Sequence, residues 1–196
     1  MIAAVIPTRF HPPQLAPLLE FLSADHVVPF VMESEQFDHR IYKMWNTGAR
    51  DAAMAGADFI AILNDDVTIL PGTLPLMARA LDADLAVGAV YPDVRTPFGS
   101  LPADPLQLES TTGTWGAGGM TGFCFMIRPP FTFDESYSWW FGDDAAEETI
   151  RLSGKSVCRI VGLPIVHHAD GSASRVWDEL APLIRADQAL WDSRHA

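Results

Sequence analysis

The chain has 196 residues, of which 48% are hydrophobic and six are tryptophan. This length fits one folded domain, and this hydrophobic content excludes a disordered chain. The formal net charge of −12 argues against nucleic-acid binding, which needs clustered lysine and arginine. No apolar run approaches the roughly 20 residues that cross a bilayer. Because MIAAVIPTRF also lacks the pattern of a signal peptide, we expect a cytoplasmic protein.

Short apolar runs alternate with stretches of helical spacing along the first half of the chain. Strands are predicted at 2–6, 27–32, 59–63 and 85–90, and helices at 12–24, 41–55 and 73–81. Such alternation with short connections is typical of a doubly wound α/β layer with right-handed crossovers. We therefore expect an α/β fold with a central, mostly parallel sheet flanked by helices.

The second half of the chain is less regular. Residues 91–122 are rich in proline and glycine, and they end in the run GTWGAGGMTG. We interpret residues 91–122 as one long loop. The Gly-rich run within it is not a dinucleotide-binding fingerprint, because such a fingerprint would have to follow the first strand. Further strands are predicted at 123–127 and 157–161, and helices at 143–152 and 173–191. Within the first of these helices, Glu147 and Glu148 are expected at solvated positions.

Polar residues follow three of the predicted strands. The run 59–63 reads as a strand buried on both faces, and Asn64, Asp65 and Asp66 come directly after it. Ligands of open α/β sheets bind beyond the carboxyl ends of the strands, so adjacent acids there are well placed to hold a divalent cation. A turn built from Asn and Asp explains the same residues as well. Because the first two strands end in Thr8-Arg9 and Glu33-Ser34, we expect these groups to converge if the strands are parallel neighbours.

Two cysteines occur singly in apolar stretches, without the CxxC spacing of redox or metal sites. We interpret Cys124 and Cys158 as reduced thiols of the core.

Several segments resemble, in chain order, the successive motifs of GT-A fold glycosyltransferases of the family 2 kind. They are VIPTR, WNTGARDAAMAGADFIAILNDDV, GAGGMTGFCFMIRPPFTFDES, WWFGDDAAEETIRLSGK and VHHADGS. The resemblance covers about residues 2–174 and rests on the ordered set of motifs. It implies a single-domain GT-A (Rossmann-like) fold over 1–196. Residues 1–90 would form the nucleotide-binding half, 91–172 the acceptor and catalytic half, and 173–196 a C-terminal helix.

The resemblance also implies roles for residues near the nucleotide. Thr8 and Arg9 match the segment that holds the base and ribose, Glu33 matches a residue on the nucleoside, and Asn46 belongs to the matching WNTG segment. These four residues are therefore expected to contact the donor nucleotide.

The metal site is implied by two further segments. Asn64-Asp65-Asp66 stands at the DxD position of the family, although Asn occupies its first slot. Asp66 is then the expected metal ligand, while Asp65 contacts the sugar or ribose. His168 matches the C-terminal histidine that completes metal or diphosphate binding, and His167 is its rival.

The catalytic base is implied by the pair Asp143-Asp144, which matches the Glu-Asp helix start of the family. An ungapped count favours Asp143 and a one-residue gap favours Asp144. The same two acids could merely stabilise the start of the helix through its dipole. Trp139 and Trp140 could stack on an acceptor sugar, although packing in a core or interface is the commoner role of tryptophan.

The function implied by the resemblance is transfer of a sugar from a UDP-, GDP- or dTDP-sugar to an acceptor hydroxyl, with inversion and with Mn²⁺ or Mg²⁺. Two other functions compete with it, nucleotidyl transfer and non-catalytic binding of a nucleotide or sugar. The first would need a Gly-rich basic loop after strand 1, where the chain has PTRFHPP. The Asn at position 64 leaves the second open.

Overall fold

The computed structural model describes residues 1–111, 119–168 and 177–196, apart from the side chain of Trp177. The strands are β1 (Ile2–Thr8), β2 (Val28–Glu33), β3 (Phe59–Leu63), β4 (Val67–Thr68), β5 (Val87–Pro92), β6 (Leu108–Ser110), β7 (Cys124–Ile127), β8 (Ser156–Ile160) and β9 (Val166–His167). The helices are α1 (Leu15–Ala24), α2 (Ile41–Met54), α3 (Thr73–Ala83), α4 (Gly142–Leu152) and α5 (Trp177–Arg194), with a short 3₁₀ helix at Ser34–Phe37.

The central sheet of the described residues has seven strands in the order β2-β1-β3-β7-β5-β8-β6. Strand β1 pairs in parallel with β2 and with β3, and β5 pairs in parallel with β8. Strand β7 lies between β3 and β5 and is antiparallel to both, and β6 is antiparallel to β8. The sheet is therefore mostly parallel, as predicted, and its reversed strands come from the irregular second half.

A hydrophobic core covers each face of the sheet, because successive strand residues point to opposite sides. In β1, Ala4 and Ile6 belong to the core that α1 and α3 cover, whereas Ala3 and Val5 belong to the core that α2 and α4 cover. This sandwich of helices around a buried sheet explains why the strands read as continuous apolar runs.

The predicted and observed elements differ where the strands are very short. Strands β4 and β9 pair as an antiparallel ribbon of two residues each, too short for any periodicity to reveal. Strand β6 lies in the stretch that was expected to be a loop. Helix α5 extends to Arg194, beyond the predicted end, and the predicted start at 173–176 lies outside the described residues, as does most of the Gly-rich run.

The expectation that Glu147 is solvated is wrong. Its side chain is buried, accepts a hydrogen bond from the backbone N–H of Met120 at 2.6 Å and another from the hydroxyl of Thr111 at 3.2 Å, and pairs with Arg151. Glu148 is exposed, as expected. Helical spacing places position 147 beside the buried Ala146 and Ile150, so the helix turns this carboxylate inward.

Two further expectations can be compared with the structure. Cys124 and Cys158 are buried, unpaired thiols, which confirms their interpretation as core residues. Across the described ranges, no helix combines the length and the apolar character that crossing a bilayer requires.

Candidate active site

A cavity of about 530 Å³ lies at the carboxyl ends of β1 and β3. Two adjacent acids follow β3 and two more open α4, and all four line this cavity. The polar predicted site residues that line it are Thr8, Arg9, Asn64, Asp65, Asp66, Asp143, Asp144 and His167. Residues from the ends of separate elements therefore meet in one place.

Thr8 holds Asp65 in position at the base of the cavity. The Thr8 hydroxyl donates to Oδ2 of Asp65 at 2.7 Å, and both residues are buried. Burial raises the pKa of Asp65, the hydrogen bond from Thr8 acts in the opposite direction, and the charge of Asp66 raises it further. The parallel register of β1 and β3 pairs Val5 with Ile62, so Thr8 and Asp65, each three residues further on, lie side by side.

Arg9 carries positive charge into the same part of the cavity. Its Nη2 donates to Oε2 of Glu179 on α5 at 2.7 Å. Its buried Nη1 has no hydrogen-bond partner among the described residues. The guanidinium therefore has a donor available for an anionic ligand.

Asp66 presents a buried carboxylate oxygen that lacks a hydrogen bond. The residue is 4% exposed, and its Oδ1 has no hydrogen-bond partner within the described parts of the chain. Nε2 of His167 is 3.2 Å from this oxygen, which is ion-pair range without hydrogen-bond geometry. The His167 ring stacks on Phe123, with ring centroids 4.4 Å apart, and its Nε2 is 3.4 Å from the Asn64 amide.

His168 lies outside this cavity. Its Nε2 is hydrogen-bonded to the Thr68 hydroxyl at 2.8 Å, and it lines a separate cavity of about 250 Å³ beside Leu18 of α1. Only its backbone N–H reaches Asp66, by donating to that residue's carbonyl oxygen at 3.0 Å. Because side chains alternate along an extended segment, His167 and His168 face different cavities.

The donor set at Asp66 can be tested for its fit to a divalent cation. No three His, Cys, Asp or Glu side chains of the described residues converge into a complete metal site. However, Mg²⁺ and Mn²⁺ at nucleotide sites commonly use one or two protein ligands, with phosphate oxygens and water supplying the others. A buried carboxylate oxygen without a partner is costly, and a cation would satisfy it. Asp66 and His167 therefore fit a cation that is shared with a bound phosphate.

Asp143 and Asp144 occupy the first turn of α4. Burial raises the pKa of Asp143 to about 7, and the neighbouring charge of Asp144 raises it as well. Backbone hydrogen bonds at Asp144 and Gly122 act in the opposite direction. Asp143 keeps partial access to the cavity, whereas Asp144 is 7% exposed. A carboxylate with a pKa near neutrality is suited to accept a proton from a bound hydroxyl.

Gly122 allows the chain to pass close to Asp143. A Cβ atom at Gly122 would lie 2.5 Å from Oδ2 of Asp143, so a larger residue would displace the carboxylate. The preceding Met120 is held by its hydrogen bond to Glu147. The buried Glu147 thus supports the segment that shapes the surroundings of Asp143.

Tyr42 is a site residue that the sequence analysis missed. Its hydroxyl accepts the N–H of Gly142 at 2.9 Å and donates to the carbonyl of Trp139 at 3.0 Å. Burial raises its pKa well above the usual value, so the phenol is neutral at physiological pH. A Cβ atom at Gly142 would overlap the Tyr42 ring. At its position in a helical pattern, Tyr42 is indistinguishable from an ordinary core aromatic.

Trp139, Trp140 and Phe141 form part of the cavity lining, which we name the aromatic wall. Within this wall, Trp139 packs on Leu180 and Ile184 of α5, whereas Trp140 is 42% exposed. Of the two roles considered for the tryptophans, packing is observed for Trp139, and stacking on an acceptor sugar stays a prediction.

Two predicted nucleotide contacts are not part of the cavity lining. The Glu33 carboxylate lies 3.1 Å from Nε2 of His11, and its neighbour Ser34 lines the cavity instead. Asn46 holds the segment before the aromatic wall, since its Nδ2 donates to the Phe133 carbonyl at 2.9 Å and its Oδ1 accepts the Phe133 N–H at 2.8 Å.

Comparisons with known proteins show similarity in structure. No family model matches the chain, and no curated protein matches it. A Drosophila β-1,4-galactosyltransferase 7 mutant in complex with manganese, UDP-Gal and xylobiose gives a TM-score of 0.59 at 17% identity, covering 89% of this chain and 72% of that chain. The S. aureus TarS complex with UDP gives a TM-score of 0.54 at 12% identity, covering 84% of this chain and 59% of that chain.

A third solved structure is the mannosyltransferase PcManGT from Pyrobaculum calidifontis with GDP-Man and Mn²⁺. Its TM-score is 0.52 at 13% identity, covering 81% of this chain and 56% of that chain. Structural similarity at sequence identities this low shows a shared fold and nothing about function. Taken with the mostly parallel sheet and its helical layers, it shows that this chain has the GT-A type of fold found in glycosyltransferases.

Proposed function

We propose that this protein is a metal-dependent glycosyltransferase that moves a sugar from a nucleotide sugar to an acceptor hydroxyl with inversion. The observation that carries the proposal is the meeting of two unlike carboxylate pairs in one cavity. One pair includes Asp66, whose buried Oδ1 lacks a hydrogen bond, and the other includes Asp143, whose pKa is raised to about 7. Similar folds that bind UDP-Gal or GDP-Man together with manganese support the same function.

On the donor side, Asp66 and His167 would hold Mn²⁺ or Mg²⁺. Such a cation, when bound, neutralises the charge that develops on a leaving diphosphate. Asp65, held by Thr8, would orient the ribose or sugar, and Nη1 of Arg9, which has no hydrogen-bond partner among the described residues, would donate to the nucleotide. UDP-, GDP- and dTDP-sugars all remain candidate donors.

On the acceptor side, Asp143 would act as general base. The acceptor oxygen forms its bond to the anomeric carbon while the bond from that carbon to the diphosphate oxygen breaks. The hydroxyl proton passes to Asp143, and the nucleoside diphosphate leaves with the bonding electrons. A single displacement of this kind inverts the anomeric configuration, and a positioned base typically contributes about 10²–10⁴ in rate.

The charge and shape of the cavity favour particular acceptors. Four carboxylates line it, and an anionic acceptor would be repelled by them. The aromatic wall provides flat apolar faces, which suit the face of a sugar ring. We therefore expect a neutral acceptor that carries a ring and a hydroxyl group.

The decisive test measures release of nucleoside diphosphate from a panel of UDP-, GDP- and dTDP-sugars, with and without Mn²⁺. We expect release by the wild type to require the metal and to fall at least about 100-fold in Asp66→Ala. Asp82→Ala, a change at an exposed acid of α3, is the matched control and should keep full activity.

Two results would contradict the proposal. Thermal stabilisation by a nucleotide sugar with Mn²⁺, combined with no turnover of any donor, would identify a binding module instead. A product with retained anomeric configuration, determined by NMR, would exclude single displacement.

A further inference from the structure

Helix α5 contacts the segment 134–141 along one of its faces. Leu180 and Ile184 pack with Trp139, and Trp191 stacks on Phe141 with ring centroids 5.3 Å apart. Asp187 lies between them on the same face, because positions 180, 184, 187 and 191 follow the helical repeat. This face of α5 is therefore occupied by the segment that carries the aromatic wall.

Asp187 binds three consecutive backbone amides of that segment. Its Oδ1 accepts the N–H of Ser138 at 2.9 Å, and its Oδ2 accepts those of Trp139 at 2.7 Å and Trp140 at 2.9 Å. The carboxylate is 2% exposed, so these charge-assisted hydrogen bonds are shielded from water. One side chain thus fixes the backbone that orients both tryptophans.

The carbonyls of the same turn are held from the other direction by α2. The N–H of Ile41 donates to the carbonyl of Ser138 at 3.1 Å, and the Tyr42 hydroxyl donates to that of Trp139. Tyr42 also accepts the N–H of Gly142, directly before Asp143. The turn is therefore clamped between α2 and α5 and is continuous with the start of α4.

We propose that Asp187 is a positioning residue for the acceptor side of the cavity: it acts through the Ser138–Trp140 turn, and the next residue, Gln188, adds a polar group to the lining. The assignment to the acceptor rests on the function proposed above. The donor residues of that function follow β1 and β3, whereas the aromatic wall leads directly into Asp143. Helix α5 is then a functional part of the site as well as a packing element.

The first test follows the tryptophans by fluorine NMR of protein labelled with fluorotryptophan. The resonances of Trp139 and Trp140 are assigned with Trp139→Phe and Trp140→Phe. In Asp187→Asn we expect both resonances to shift or broaden, because an amide offers one acceptor oxygen where the carboxylate offers two. The resonance of Trp45, which is buried in the core and packs on Tyr42 with ring centroids 4.9 Å apart, should change less than either of them.

The matched control is Asp178→Asn, which removes the same charge from an exposed position of α5 and should leave the wall unchanged. Unchanged Trp139 and Trp140 resonances in Asp187→Asn would overturn the proposal, and so would an equal change at Trp45, which would indicate general loosening. If Asp187→Asn does not fold, Asp187→Glu is measured in the same way. Its longer side chain should also move the two wall resonances more than that of Trp45.

The second test uses hydrolysis of the nucleotide sugar to water in the presence of Mn²⁺. We expect the KM for the nucleotide sugar in Asp187→Asn to stay within about twofold of wild type, because the turn serves the acceptor side. A KM raised more than about fivefold would place the turn on the donor side and overturn the assignment. Failure of the proposed function would appear as no hydrolysis by the wild type, and the NMR result would be unaffected by it.

Discussion

The two carboxylate pairs of the cavity have the same residue type and spacing but different surroundings. Asp65 and Asp66 follow a strand, where the Thr8 hydroxyl holds one and the His167 imidazole lies beside the other. Asp143 and Asp144 open a helix, where burial and mutual repulsion bring the pKa of Asp143 to about 7. Under the proposed function, the hydroxyl and imidazole neighbours of the first pair suit it to a cation, and burial, with the charge of Asp144, suits Asp143 to a proton.

This difference shows that acids of the same type and spacing acquire different electrostatic surroundings in the folded chain. Two Asp-Asp pairs are equivalent in a sequence, and each could hold a metal or take a proton. In the folded chain, Asp66 has a buried oxygen that lacks a hydrogen bond and lies beside an imidazole, whereas Asp143 has its pKa raised to about 7.

The largest expected effect is that of Asp143→Asn. Asparagine preserves the shape of the side chain but does not accept the proton, so kcat should fall about 10²–10⁴-fold. The KM for the nucleotide sugar and the metal requirement should change little, as steady-state kinetics would show. Asp82→Asn serves as the control. A kcat within about fivefold of wild type would remove Asp143 from the role of base.

Gly122→Ala should be the next most damaging change. The added methyl group would meet Oδ2 of Asp143 at 2.5 Å and displace it, and misplacement of a catalytic group by about 1 Å costs roughly 10²-fold in rate. Gly99→Ala is the control, because no atom lies within 4 Å of its added Cβ. If the rates of the two variants were equal, the close approach at Gly122 would have no bearing on catalysis.

Glu147→Gln should lower the free energy of unfolding by about 1–3 kcal/mol. It weakens the buried hydrogen bonds to Met120 and Thr111 and removes the ion pair with Arg151. Glu148→Gln changes an exposed neighbour and should keep the free energy of unfolding within about 0.5 kcal/mol of wild type. Urea denaturation measures both values. Equal stability of the two variants would contradict the buried role of Glu147.

His167→Ala and His168→Ala compare two adjacent imidazoles that face different cavities. We expect the first to weaken Mn²⁺ binding about tenfold, or ~1.4 kcal/mol, because only His167 lies beside Asp66. His168→Ala should leave the affinity for Mn²⁺ within about twofold of wild type. Calorimetric titration with Mn²⁺ in the presence of a nucleoside diphosphate measures both, and the reverse ranking would move the metal site toward His168.

The smallest expected effect is a shift along the pH axis. The rate should rise with pH around 7, because Asp143 must be ionised to accept a proton. Asp144→Asn removes the neighbouring charge, lowers the pKa of Asp143 and moves this rise to lower pH. An unmoved pH profile would show that Asp144 does not act on Asp143.

The raised pKa of Asp143 also has a consequence for stability. The folded chain binds this proton more tightly than the unfolded chain, so Asp143 makes the unfolding free energy fall as pH rises from its ordinary value toward about 7. The Asp143→Asn variant should lose this part of the pH dependence, which thermal denaturation of the metal-free protein would reveal.

Local patterns predicted the framework of the site well. The strand Phe59–Leu63 has its predicted bounds, because a run of apolar residues ended by polar ones is typical of a buried strand. The acids after it and those at the start of α4 were also identified, since polar residues at element ends can be recognised from adjacent positions alone. The direction of the His167 side chain could not be predicted, because it depends on the pairing of β4 with β9. The inward direction of Glu147 agrees with its helical spacing from Ile150, but its buried partners Met120 and Thr111 come from distant parts of the chain.

The sequence by itself determined the alternation of strands and helices and the two acidic pairs at the ends of elements, because these depend on residues close together along the chain. Only the tertiary structure decided what each acid touches. Asp187 meets its three amides across 47–49 residues, and Tyr42 meets Gly142 across 100. Contacts over such separations leave no periodic trace in a sequence, and they are the contacts that orient the aromatic wall and the start of α4.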